Sequence, residues 1–406
     1  MKLLHTSDWH LGRTLYSKKD RQEEQISFLN YLLGAIKENS IDLLIVAGDI
    51  FDSTSPSNST QKIYYDFLLN VRNTGCKNVV IIGGNHDSPS FLNAPKEILA
   101  VINVFVVGNA SENIEDEIIV VKDIQENPIA IVCAVPFLRE RDISRFTEGE
   151  TYGDRSKRIA ENIKKHYQNI AEIAENKRIN INRKIPIIAT GHLSVAGGKT
   201  IEDDGVKETY FGGIECVSSE IFPSVFNYVA LGHYHICSKI ENNVRYCGSP
   251  IPMGFGEADQ RKSVYIVDFK ENIPEISKLE IPTFQKLESI KGDKLFIYNR
   301  LNELKKLNSS VWVEIIYDGT DPFPNFTAWA NDNTRYSKIE IIKLQNKKYL
   351  NEVLYIDEKV QSLDDLDEYE VFNKLLEKRI FSDKQKTELK NMYSEIINEV
   401  NEKIRK

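Results

Sequence analysis

Residues 3–12 read LLHTSDWHLG, an apolar run that ends in the polar cluster Asp8-Trp9-His10. A run of this length is typical of a buried strand rather than a helix. Four more short clusters follow apolar runs in the same way: GDIFD at 48–52, GGNHD at 83–87, GH at 191–192 and GHYH at 232–235. Ligands of open α/β sheets bind at the carboxyl ends of strands, so we expect all five clusters to meet in one cleft.

Residues 1–270 alternate such apolar runs with segments of helical periodicity, which predicts an α/β layered domain. A β-hairpin is predicted from the runs at 118–123 and 129–135, and a long helix at 150–183. The glycine-rich and charged segment 197–213 predicts a long loop beside the fourth cluster. The run SVYIVDF at 263–269 is expected to be the last strand of this domain.

The rest of the chain has a different pattern. Short apolar runs at 311–317 and 339–344 predict a small α+β domain, and the acid-rich segment 357–370 is followed by two amphipathic helical patterns. We therefore divide the chain into a catalytic domain at 1–272, a capping domain at 273–348, and an acidic linker with a two-helix module at 349–406. This module is interpreted as a surface that binds a partner protein, and a helical hairpin packed on its own core is the alternative.

The chain is acidic, with 60 Asp and Glu against 52 Lys and Arg, a net charge of −8. Any role with nucleic acid must therefore rest on metal ions, on a partner, or on a local basic patch. Candidates for such a patch, each more commonly an ordinary surface charge, are Lys18, Lys19, Arg21, Arg139, Arg141 and Arg145.

The cysteines and the hydropathy limit the class of protein further. Five scattered cysteines without a Cys-x-x-Cys pair predict a reducing cytoplasm and argue against a disulfide framework or a zinc-thiolate site. No apolar run approaches the roughly 20 residues that a membrane-spanning helix needs, so we expect no membrane partner.

The clusters combine imidazole with carboxylate and carboxamide groups, the ligand mixture of hydrolytic transition-metal sites. Seven donors suffice for two ions if one carboxylate bridges them: Asp8, His10, Asp49, Asn85, His192, His233 and His235. His86 is expected to donate a proton to the leaving oxygen rather than to bind metal. Asp52 and Asp87 could orient histidines. His166, among lysines in a helical segment, is interpreted as a surface histidine.

The order of these motifs resembles the calcineurin-like metallophosphoesterase superfamily. Within it, LLHTSDWHLG, GDIFD and YCGSPIPMG at 246–254 are similar to the SbcD family of bacterial nuclease subunits. The resemblance implies a four-layer α/β sandwich and two Mn²⁺ ions, with Mg²⁺ as a substitute. It implies that Asp49 bridges the ions, that Asp8, His10 and His235 complete one site, and that Asn85, His192 and His233 complete the other. His86 would be catalytic. Asp52 stands where archaeal and eukaryotic relatives carry a histidine, so its expected role is to orient His86 or His10.

The same resemblance implies a DNA exonuclease and endonuclease that acts with the SbcC ATPase in DNA repair, recombination and replication, in the cytoplasm at the nucleoid. It implies a homodimer within a 2:2 heterotetramer, in contact through helices that include the stripe Ile63, Phe67 and Val71. The alternatives are a metal-dependent protein phosphatase, a small-molecule phosphodiesterase, which would not need the tail, and a non-catalytic scaffold of the same fold. Phosphatases usually carry an arginine where Ser53 to Ser55 follow Asp52, and a scaffold would lose ligands that this chain retains.

Overall fold

A computed structural model describes residues 1–144, 150–199, 216–321 and 323–346, together with Leu389, Lys390 and Tyr393. The predicted acidic linker, the two-helix module apart from those three residues, and most of the predicted loop at 197–213 lie outside the described residues. Among the helices that are described, none combines the length and the apolar character needed to cross a membrane. The described chain forms two compact units, Met1–Ser289 with Ser309–Val313, and Ile290–Asn308 with the described residues from Glu314 onward.

Two six-stranded sheets form the centre of the first unit. The first contains, in spatial order, β14 (Ile273–Glu280), β13 (Ser263–Lys270), β1 (Lys2–Thr6), β4 (Leu43–Ala47), β5 (Asn78–Ile82) and β6 (Val104–Val107). The second contains β11 (Ser238–Lys239), β12 (Val244–Tyr246), β10 (Tyr228–Gly232), β9 (Ile187–His192), β8 (Pro128–Cys133) and β7 (Ile118–Lys122). A short ribbon pairs β2 (Thr14–Leu15) with β3 (Lys19–Asp20).

Helices connect these strands in chain order. They are α1 (Gln22–Glu38), α2 (Asn58–Val71), α3 (Pro89–Asn93), α4 (Lys96–Ala100), α5 (Glu140–Ile143) and α6 (Tyr152–Ile181). Single 3-10 turns lie at Arg72–Thr74, Ile114–Glu117, Ser219–Ile221 and Phe255–Glu257. Gly75 ends the 3-10 turn that follows α2, where it takes a left-handed φ of 97°.

Side chains alternate between the two faces of each buried strand, and this alternation explains the layers. In β4, Leu44 and Val46 pack into a core with α1 and α2, whereas Leu43, Ile45 and Ala47 face the second sheet. In the second sheet, Ile131 and Cys133 of β8 pack in a third core with α6, while Ala130 and Val132 meet the first sheet. The order helix, sheet, sheet, helix confirms the predicted four-layer α/β sandwich.

Strand direction brings the five clusters to one edge. β1, β4 and β5 are parallel neighbours in the first sheet, and β9 and β10 are parallel neighbours in the second. Each of these strands ends in, or within two residues of, one of the five polar clusters. The predicted hairpin is also confirmed, because β7 and β8 pair antiparallel.

The predicted last strand, 263–269, is not the end of the first unit. β13 continues through a hairpin into β14, which pairs with it over Ser263–Lys270 and forms the edge of the first sheet. Residues 273–280 therefore lie in the first unit, although the sequence pattern assigned them to the capping domain. Exposed residues nearly alternate along β14, as expected for an edge strand with one solvated face. In a short segment this alternation is a weak signal for a strand in the sequence.

The chain after β14 forms a three-stranded sheet of order β15 (Lys286–Gly292), β16 (Val311–Tyr317) and β17 (Ile339–Asn346), with α7 (Lys294–Lys306) and α8 (Phe326–Thr334) between the strands in sequence.

The stripe on α2 contacts the chain's own core. Phe67 and Val71 are buried beside Trp9 and Leu68, and Ile63 is partly buried against the same cluster. The expectation that these three residues form a dimer contact is therefore wrong for Phe67 and Val71, because their apolar surface is already covered by the first sheet and α1.

Candidate metal centre

The loops after the strands hold their predicted ligands in unusual backbone conformations. Asp8, His10, Asp49 and His233 take positive φ angles of 53°, 45°, 49° and 106°. Non-glycine residues rarely adopt this region, and each such residue costs about 1–3 kcal/mol that the surrounding structure must offset. Strain at four predicted ligands indicates that the fold fixes their positions for a function.

Backbone hydrogen bonds tie the first two loops together. The amide of Asp8 donates to the carbonyl of Gly48 at 3.0 Å, and that of His10 to the carbonyl of Asp49 at 3.0 Å. Asp87 supports the same region, since its buried carboxylate accepts the amides of Ile50, Phe51 and Gly84 at 2.9–3.2 Å. Asp87 was expected to orient a histidine, but its carboxylate instead holds the backbone of the loops after β4 and β5.

Close packing around the ligands requires glycine at two positions. Gly48 has a φ of +88°, and a Cβ there would overlap the His192 ring. A Cβ at Gly84 would overlap both the carboxylate oxygen and the amide nitrogen of Asp49. Gly48 therefore allows loops of the two sheets to approach each other, and Gly84 allows the loops after β4 and β5 to do so.

One group of donors comprises Asp8, His10 and His235, whose ligand atoms lie within 4.8 Å of one another and whose side chains are buried. The Nε2 atoms of His10 and His235 are 3.2 Å apart. Two ring nitrogens facing each other at this distance require a shared proton or a shared cation, so they fit a metal ion.

A second group surrounds Asn85. Its Oδ1 lies 3.0 Å from His192 Nε2 and 3.1 Å from His233 Nδ1. His192 Nε2 also lies 3.3 Å from Asp49 Oδ2, while His192 Nδ1 is fixed 2.9 Å from the carbonyl of Ala47. Nitrogen and oxygen ligands thus converge from both sheets.

Asp49 connects the two groups. Its Oδ2 is 3.6 Å from His10 Nε2 and 3.3 Å from His192 Nε2, and its Oδ1 accepts the amide of His86 at 2.9 Å. A carboxylate in this position can bridge two cations, so the residues present fit a dinuclear centre. The structure brings together all seven predicted ligands.

His86 and Asp52 lie at the open side of the centre. The His86 ring is in edge-to-face contact with the His10 ring at 4.9 Å between centroids, and its Nδ1 lies 3.2 Å from the backbone carbonyl of Asp52. The Asp52 carboxylate lies 3.2 Å from His10 Nδ1 and accepts from Arg13 at 3.0 Å. Asp52 was expected to orient His86 or His10. Its side chain contacts His10, and its backbone carbonyl contacts His86.

The electrostatics favour cations. Burial lowers the pKa of His233 to about 3, and burial also holds the pKa of His235 well below its ordinary value. Both rings stay neutral and can bind metal. Burial also lowers the pKa of His192, but the charge of Asp49 outweighs it and the net pKa is about 9. Burial raises the pKa of Asp49, yet His192 and His10 hold it well below the usual range.

The sequence did not reveal several groups that support the centre. Glu257 is buried with Oε1 3.8 Å from His235 Nδ1, and its other oxygen accepts from the buried Lys262 ammonium at 2.5 Å. Lys262 also donates to the carbonyl of His235 at 3.1 Å. The only signal in the sequence was their position after YCGSPIPMG.

Two interpretations of charged residues were wrong. Arg21 is not available to DNA, because it is buried and its Nη2 lies 2.7 Å from Glu24. His166 is not an ordinary surface residue, because its side chain is only 12% exposed and its Nε2 lies 2.8 Å from the buried carboxylate of Glu117.

Comparison with known proteins agrees with this geometry. A family model described as calcineurin-like phosphoesterase matches residues 1–237. The chain belongs to the calcineurin-like phosphoesterase family. This membership makes it a metal-dependent phosphoesterase, an enzyme of the hydrolase class, and confirms the resemblance seen in the motifs. A second model, described as the type 5 capsule protein repressor C-terminal domain, matches residues 283–379.

Within the calcineurin-like phosphoesterases, this chain is similar to proteins named as the SbcD component of the SbcCD nuclease. The Escherichia coli K12 protein is 32% identical over 97% of both chains. The Rhodobacter capsulatus protein is 32% identical over 66% of both chains. The Bacillus subtilis protein is 29% identical over 77% of this chain and 75% of its own.

Proposed function

We propose that this phosphoesterase is a Mn²⁺-dependent DNA nuclease, an exonuclease on double strands and an endonuclease on single strands and hairpins. The observation that carries the proposal is the convergence of seven histidine, carboxylate and carboxamide ligands at one sheet edge, in a chain similar to nuclease subunits along nearly its whole length.

When bound, two divalent cations would supply the Lewis acidity that activates water and neutralises charge on a phosphodiester. Asp49 would hold both ions, Asp8, His10 and His235 one of them, and Asn85, His192 and His233 the other. Manganese is our choice because the resemblance of the motifs to the SbcD family implies it, and Mg²⁺ is the expected substitute.

His86 and Asp52, which are not among the proposed metal ligands, have separate roles. His86 is half-buried beside the ligands, with its ring in edge-to-face contact with His10 and its Nδ1 3.2 Å from the carbonyl of Asp52, which places an imidazole within reach of a phosphodiester bound at the centre. We assign it the transfer of a proton to the leaving oxygen. Asp52, fixed by Arg13, keeps His10 oriented toward its ion.

We further propose a partner, since the relatives are named as components of SbcCD. The partner would be the SbcC ATPase, bound by residues 349–406, in a 2:2 assembly around a homodimer of this chain. The complex would act in DNA repair, recombination and replication. A reducing cytoplasm, at the nucleoid, is the proposed location, and the described cysteines are unpaired.

The test is cleavage of linear duplex and hairpin DNA in the presence of Mn²⁺, with and without SbcC. Asp49→Ala is the matched inactive variant, since it should lower the affinity for both ions by about 100-fold or more, beyond the loss typical of residues that only orient a ligand. Release of phosphate from a phosphoprotein without DNA cleavage would replace the nuclease with a phosphatase.

A further inference from the structure

Arg139 follows β8 and borders the same cleft, but it is not one of the ligands. Its Nη2 donates to the backbone carbonyl of Asp87 at 3.1 Å, next to His86. Its guanidinium lies over the Phe137 ring at 5.5 Å, and that ring is 6.3 Å from the His192 imidazole. Arg139 is thus held between the loop of His86 and the ligand His192.

One end of this guanidinium lacks a partner. Nη1 of Arg139 is buried and forms no hydrogen bond within the described chain. Other buried arginines near the centre are paired with carboxylates, Arg13 with Asp52 and Arg21 with Glu24. A buried donor on a charged group that makes no hydrogen bond is costly, so its presence in a cleft beside candidate metal ligands calls for a bound group that accepts from it.

The charge of Arg139 is permanent. Burial lowers its pKa, but the carboxylates of Asp142, Asp87 and Asp49 act in the opposite direction, and a guanidinium remains protonated in proteins. The surrounding residues Asn85, His86 and His233 are only partly buried, so this is the side from which a substrate can approach.

We propose that Arg139 binds a non-bridging oxygen of the phosphodiester at the metal centre, through Nη1. The inference rests on the proposed function, and it names a contact to substrate that the metal ligands do not provide. A guanidinium presents parallel N–H donors that match phosphate oxygens, and such charge-assisted hydrogen bonds are stronger than neutral ones.

The experiment compares Arg139→Gln and Arg139→Lys with Arg141→Gln, a control that removes the same charge two residues away from a side chain that is 76% exposed. The substrates are bis(p-nitrophenyl) phosphate and linear duplex DNA with Mn²⁺. We expect Arg139→Gln to lower kcat/KM by about 10- to 100-fold and to weaken inhibition by inorganic phosphate by a similar factor. Arg139→Lys should recover part of both, and Arg141→Gln should stay within about twofold of the parent on bis(p-nitrophenyl) phosphate, which is too small to contact a surface patch.

Manganese content and the thermal midpoint separate substrate binding from a structural role. Both should be unchanged in Arg139→Gln. Loss of bound manganese in parallel with activity, or kinetics equal to those of Arg141→Gln, would overturn the inference. If the parent protein cleaves neither substrate, the proposed function fails, and calorimetric binding of inorganic phosphate to the manganese-loaded parent and Arg139→Gln still tests the contact.

Discussion

Asn85 and His86 are sequence neighbours with different surroundings. Asn85 Oδ1 lies within 3.1 Å of two ligand histidines, whereas the His86 ring contacts the edge of His10 and a backbone carbonyl. His86 could nevertheless reach an ion, because its ring nitrogen lies within 4.8 Å of ligand atoms of His10 and Asp49. The two roles for His86 predict different phenotypes.

We expect His86→Ala to retain bound manganese and to lose about 100- to 10,000-fold in kcat, the range typical of a general acid or base. Metal content by mass spectrometry, beside single-turnover cleavage of duplex DNA, is the measurement. A protein that loses one manganese per chain would make His86 a ligand instead.

His5 provides a residue-scale prediction on stability. It is buried in β1, with Nδ1 2.9 Å from the Tyr228 hydroxyl, and burial lowers its pKa to about 3. In the unfolded chain a histidine titrates near 6.5. The unfolded state therefore binds more protons between these values, and the stability that neutral His5 contributes is full above about pH 6.5 and declines as the pH falls toward 3.

Between pH 7 and pH 5 this group should cost about 2 kcal/mol of unfolding free energy. His5→Asn keeps a polar partner for Tyr228 but cannot titrate. Urea unfolding at both pH values measures this effect. Between pH 7 and pH 5 the parent should lose more unfolding free energy than the variant. An equal pH dependence in the two proteins would show that His5 is not the titrating group.

At the scale of elements, the strand-end glycines set how closely neighbouring ligand loops approach each other. A methyl group at Gly84 would overlap the carboxylate of Asp49. We expect Gly84→Ala to weaken manganese binding by about tenfold or more without changing a ligand, because displacement of a coordinating group by a neighbour has an effect of this size.

The matched control is Gly34→Ala in α1, where a Cβ would meet nothing within 4 Å. It should leave manganese affinity unchanged and stabilise the protein by about 0.5–1 kcal/mol, since alanine is the better helix former. Titration of manganese into both variants measures the difference. Unchanged manganese affinity in Gly84→Ala would show that the loop moves to accommodate the methyl group without displacing Asp49.

At the scale of the whole molecule, catalysis and partner binding are expected to depend on different parts of the chain. The seven ligands lie between Asp8 and His235, and the proposed SbcC-binding module begins at 349. Deletion of 350–406 should leave manganese-dependent DNA cleavage intact and abolish co-purification with SbcC. Retention of SbcC by the truncated chain would place the partner surface elsewhere.

The sequence alone determined which residues are candidate ligands, their order and their place at strand ends. Each of these properties is local, because an apolar run, a glycine and the polar residues after it lie within about ten positions. Periodicity also predicted α1, α2, α6 and the hairpin of β7 and β8, because burial on one face repeats along each element.

The tertiary structure decided which group contacts which. The pairing of Asp52 with His10, the burial of Arg21 and of the α2 stripe, the edge strand β14, and the place of Arg139 beside the loop of His86 all join residues distant in sequence. Such contacts form only when the two sheets pack face to face. A local pattern specifies the face that a residue occupies but not the neighbour that it meets there.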